Sequence, residues 1–99
     1  MPRCTRKQRT GTSLGVGLGP TRQLAINAAV GLANSIGLIE ATNALARLPA
    51  CDAGCAEDGT AAGAEGPTRV RVAERITKTL WVAIVRRSWR ATRFCKKGP

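Results

Sequence analysis

Apolar positions fall into two long blocks along the chain, and the two blocks are patterned differently. In the first, residues 24–39, apolar side chains occupy nearly every side of a helical wheel; Asn27, Asn34 and Ser35 interrupt it without forming a polar face. Within and just beyond this block Ala25, Ala29, Ala33, Gly37 and Ala41 recur every fourth residue. On a helix they form a smooth ridge that lets another backbone come close. A helix apolar all round is buried in protein or in lipid. In the second block a wheel collects Val70, Ala73, Ile76, Thr77, Leu80, Trp81, Ala83, Ile84, Val85, Ser88, Ala91, Phe94 and Cys95 on one broad side. Arg71, Arg75, Lys78, Arg86, Arg90, Arg93 and Lys96 fall on the other. Trp89 and Val82 sit among the basic residues, and Arg87 and Glu74 break the pattern.

Punctuation divides the rest. Residues 1–20 are broken by glycines and small polar residues and read as an extended or irregular arm. The tetrapeptide Gly-Pro-Thr-Arg occurs at 19–22 and again at 66–69. Proline near a first helical position and threonine as a cap both favour initiation, so it reads as one start signal used twice. Pro49 stops the first helix. The expected fold class is therefore all-α, an antiparallel hairpin of two long helices. Its parts are a basic Gly-rich arm (1–20), an apolar Ala/Gly-rich helix (21–48), an acidic Cys-containing linker (49–66) and a basic amphipathic helix (67–97). Two helices of roughly 40 Å, at about 1.5 Å per residue, hardly enclose a core. Such a hairpin dimerises or docks onto something larger.

Composition sharpens that need. The chain is 43% hydrophobic, but 16 of those residues are alanine, and Trp81, Trp89 and Phe94 are its only aromatics. Burying a large apolar side chain contributes roughly 1.5–3 kcal/mol, while ordering a residue's backbone costs roughly 1–2 kcal/mol. So thin a core calls for staples, a membrane or a partner. Sixteen Lys and Arg against six Asp and Glu give +10. Two basic ends flank a mildly acidic middle, a balance that favours anionic partners.

The expected function is that of a small, non-enzymatic accessory or structural subunit of a larger protein or ribonucleoprotein assembly. Arg3, Arg6, Lys7 and Arg9 of the arm, with Arg71, Arg75, Lys78, Arg86, Arg90, Arg93 and Lys96 of the second helix, would hold an anionic surface. RNA is the favoured surface, with Trp89 stacking on a base. The alternative is a membrane-associated subunit or a cationic membrane-active protein, with Trp81, Trp89 and the Arg cluster at an anionic lipid surface. A homodimer fits either reading; a small-molecule substrate or a cofactor fits neither. The first 39 residues lack any acid, a composition that resembles an organelle transit peptide of the mitochondrial kind.

Candidate chemistry is sparse. There is no histidine or tyrosine to support acid–base work. Gly15, Gly17 and Gly19 miss the dinucleotide-loop spacing, because Pro20 occupies the next place. In the hairpin, Cys51 and Cys55 lie at the turn, and Cys4 and Cys95 lie a helix length away at the open end. That separation excludes a shared zinc site, whose thiolates must lie about 2.3 Å from the metal, so no metal site is expected. It leaves two disulfides, Cys4–Cys95 and Cys51–Cys55, or free thiols.

Overall fold

The computed structural model describes residues 4–98 and overturns the helical hairpin. Strand β1 (Lys7–Gly19) leads into helix α1 (Arg22–Arg47), followed by strands β2 (Cys55–Thr77) and β3 (Leu80–Lys97). The strands form one antiparallel sheet in the order β1-β3-β2. Helix α1 lies along one face of it. The result is a rod with extents of 64 × 18 × 14 Å.

The helix expected over 21–48 is present as α1, and local signals explain its ends. Thr21 is the N-cap, its hydroxyl accepting from the Leu24 amide at 3.2 Å. At the other end the Leu48 amide donates to Leu45, and Pro49 follows. The ridge of Ala25, Ala29, Ala33, Gly37 and Ala41 is the buried side of α1. From Ala25 to Ala33 it meets β1, where Gly11, Ser13, Gly15, Gly17 and Gly19 alternate with outward residues, and Ala41 packs with Trp89 and Ala91 of β3. A methyl group added at Gly15 would collide with the Ala29 carbonyl, and one at Gly17 with that of Ala25. Helix backbone therefore rests almost directly on strand backbone. The expected arm is a strand whose inner face from Gly11 to Gly19 carries one side chain, Ser13, whose hydroxyl donates to the Ala33 carbonyl at 2.8 Å.

The second helix expected over 67–97 is absent. Its residues form the end of β2 and all of β3. The run Trp81–Val85 is apolar at five consecutive positions, which suits a strand covered on one face and apolar on the other. Its β-branched residues fit a pleated surface better than a helix. The hairpin turn has no sequence signal, because Thr77 and Leu80 pair across Lys78 and Thr79 without glycine, asparagine or proline. Arg75 supplies what the turn lacks, donating from Nε to the Thr77 carbonyl and from Nη2 to that of Lys78.

The second Gly-Pro-Thr-Arg is not a helix start either. It makes a bulge between Glu65 and Arg69 of β2, with Gly66 at φ 82°. In the acidic linker expected over 49–66, the chain is already β-strand from Cys55 onward.

The core is thin, as the composition implies. One cluster joins Ala25, Ile26, Ala29 and Ala33 to Ala83 and Val85; another joins Ala41, Ala44 and Leu48 to Trp89 and Ala91. Val85 is the largest side chain that is completely buried.

Two disulfides staple one end of the rod, Cys4–Cys55 and Cys51–Cys95. They replace the expected pairs Cys4–Cys95 and Cys51–Cys55, and none of the four cysteines is free. The reason is β1. An extra pass before the helix brings the start of β1, the end of α1, the start of β2 and the end of β3 to the same end.

Candidate anionic-surface interface

One face of the sheet carries α1; the other is uncovered. The pleat sends alternate residues of each strand to the uncovered face. From β1 these are Leu14, Val16 and Leu18, more than half exposed at 52%, 51% and 57%. Their β3 partners are Arg86, Ile84 and Val82. On the far side of β3, Ile84 pairs with Val72 and Arg86 with Arg69. Half of this face is thus largely aliphatic, with exposed Glu74 opposite Val82 at its outer edge, and a pair of arginines marks where it ends. Beyond them the face turns small and polar, with Thr10, Thr12, Ser88 and Thr92, and then carries Arg90, Phe94 and Lys96.

Acids neutralise some of the cations. Arg90 pairs with Glu65 at 2.9 Å and Lys96 with Asp58 at 3.5 Å. Lys7 pairs with Asp52 at 2.9 Å at the disulfide end. These pairs are partly exposed, and each contributes roughly 0.2–1 kcal/mol. Arg69 and Arg86, by contrast, face one another across the strands with no acid in contact among the described ion pairs.

The expected binding residues are dispersed. Arg6 lies on the uncovered face beside Phe94 and Arg90. Arg9 is exposed at the flank, lining a crevice with Glu40 and Arg47. Arg71 is exposed in the bulge between Val70 and Val72. Lys78 is at the hairpin tip, and Arg75 is engaged in holding that tip. Arg86, Arg90 and Lys96 share the uncovered face. Arg3 lies outside the described residues.

Two of the expected contacts turn inward. The Arg93 guanidinium sits at the C-terminus of α1, where Nη1 donates to the Leu48 and Pro49 carbonyls, both at 2.8 Å, and Nη2 donates to Leu45. Its Nε pairs with Glu57 at 3.1 Å. Trp89 is 8% exposed beneath the helix, against Gly11, and its indole donates to Glu40 at 2.9 Å. Its ring is not available to stack on a base.

Sequence reasoning passed over Arg69, Ser88 and the Leu14, Val16, Leu18 stripe. A signal for the stripe was present: strict alternation of glycine with aliphatics over 14–19 has period two. Among the described residues no cluster of His, Cys, Asp or Glu is suited to a metal ion. Helix α1 is long and apolar enough to cross a membrane by length and composition, and here its ridge is packed on the sheet. No protein-family model, curated protein or solved structure matches the chain.

Proposed function

We propose that this protein is a non-enzymatic, membrane-associated structural subunit that seats its uncovered sheet face on an anionic phospholipid surface. The observation that carries this reading is the aliphatic patch of Leu14, Val16, Leu18, Val72, Val82 and Ile84, bordered directly by Arg69 and Arg86 on one side and by Glu74 at the edge beyond Val82. Contiguous exposed apolar surface marks an interaction site. Aliphatic side chains enter the headgroup–acyl boundary, and neighbouring cations meet lipid phosphates at about 1 kcal/mol per Lys or Arg. The +10 charge draws the whole molecule to such a surface. RNA recognition leans on exposed aromatic rings, and burial of Trp89 leaves Phe94 as the ring on this face.

Flotation with vesicles tests it. The protein is expected to float with phosphatidylcholine vesicles containing phosphatidylglycerol, not with phosphatidylcholine alone, and to be released by high salt. The double variant Val16→Gln/Leu18→Gln removes exposed apolar surface without touching the core and should lower partitioning roughly tenfold. Failure to float on anionic vesicles, together with tight, salt-sensitive binding to an RNA oligonucleotide, would replace the lipid by nucleic acid. Resistance to both salt and alkaline carbonate would indicate a membrane-spanning α1 and overturn the surface-seated reading.

A further inference from the structure

Among the described residues no hydrogen bond or ion pair ties either arginine of the cross-strand pair into the fold. Like charges directly opposite one another on a sheet face are destabilising. Arg69 and Arg86 are such a pair, both exposed. Of the acids on the same face, Glu65 beside Ser88 is engaged by Arg90, and Glu74 lies opposite Val82, two cross-strand pairs further along β3.

The surroundings are shaped as well as charged. Between Glu65 and Arg69 the bulge inserts extra residues into β2. Thr68 is turned inward there and accepts from Nη1 of Arg87 at 3.2 Å. The bulge leaves a notch of about 260 Å³ lined by Pro67, Arg69, Arg86 and Ser88. Its lining offers two guanidinium forks and a hydroxyl, and no carboxylate. Guanidinium forks match phosphate oxygens bidentately.

We propose that this notch is a phosphate site, and that the phosphate it takes is that of a phospholipid headgroup. The proposal rests on the membrane reading above for the source of the phosphate, not for the site. The headgroup assignment follows from position: Leu14 is the β1 partner of Arg86, and Ile84 lies two residues along β3 on the same face. A phosphate held between the arginines sets its acyl chains over the aliphatic patch.

The test uses the oxidised full-length protein. Arginine Nε–Hε NMR signals are followed during titration with inorganic phosphate, and vesicle binding is measured with phosphatidic acid in phosphatidylcholine. Phosphate should move the Arg69 and Arg86 signals saturably and leave those of Arg22 and Arg47 in place. Arg69→Lys/Arg86→Lys keeps the net charge but removes the forks, and should weaken vesicle binding about tenfold. Arg69→Gln should abolish the phosphate response while raising the melting temperature, because it relieves the repulsion; a residue that only served the fold would lower it.

Uniform movement of all arginine signals, or a lysine double variant that binds like the parent, would overturn the site. Movement of Arg69 and Arg86 with phosphate but no vesicle binding would keep the site and overturn the lipid source. So would an RNA oligonucleotide that displaces phosphate where vesicles do not. Vesicle binding with both arginine signals unmoved would overturn the notch and leave the membrane reading standing.

Discussion

At the scale of single residues, the basic side chains divide by what they touch. Arg93 is held by carbonyls at the end of α1, where orphan acceptors and the negative end of the helix dipole both attract a cation. Its removal leaves these carbonyls without that partner. Arg93→Ala is expected to cost about 2 kcal/mol, since hydrogen bonds to charged groups contribute roughly 1.5–3 kcal/mol. Arg93→Lys should recover less than half, because an ammonium cannot reproduce the planar fork. Urea denaturation of the oxidised protein checks both. Arg69 and Arg86 carry the same charge and make no such contacts among the described residues, which is why substitutions there should weaken binding without destabilising the fold. Nothing in the composition distinguishes the two groups.

At the scale of elements, the contact between β1 and α1 determines the fold. Two facing rows of small residues, glycines on the strand and alanines on the helix, bring the backbones together where ordinary side chains would hold them about 10 Å apart. Gly17→Ala is expected to destabilise by about 3 kcal/mol, because the added methyl meets helix backbone that cannot move aside. Gly63→Ala has open space around it and should stay within about 0.5 kcal/mol of the parent. Thermal melts of the two variants would expose an error: equal costs would mean that α1 does not lie on β1. The repeated Gly-Pro-Thr-Arg shows how far local sequence reaches at this scale. At 19–22 its threonine caps a helix; at 66–69 its threonine accepts from Arg87 inside a bulge. The first copy is followed by a chain with a four-residue apolar period, the second by one that pairs with β3.

At the scale of the whole molecule, a 64 Å rod with Val85 as its largest fully buried side chain depends on its staples. The disulfides close loops with sequence separations of 51 and 44, and they interlace. By loop-closure entropy each adds about 4 kcal/mol. Reduction is therefore expected to unfold the protein or to lower its melting temperature steeply. Peptide mapping without reduction should recover Cys4 joined to Cys55 and Cys51 joined to Cys95. Recovery of Cys51 joined to Cys55 would overturn the topology, since only the pass through β1 brings Cys4 to that end.

Read alone, the chain determined what short-range interactions determine: the limits of α1, set by Thr21 and Pro49, and its buried ridge, set by a four-residue period. It also determined the excess of positive charge and the poverty of large core side chains. The tertiary structure decided the rest, because a strand is defined by its partner and the partner can be distant. Lys7 meets Arg93, and Gly19 meets Trp81; no local pattern announces such pairings. From them follow the sheet, the cysteine partners, the burial of Trp89 and the opposition of Arg69 to Arg86. Which cations are held by the fold and which are left for an anion depends on where each acid and each carbonyl comes to rest, and that exists only once the chain has closed on itself.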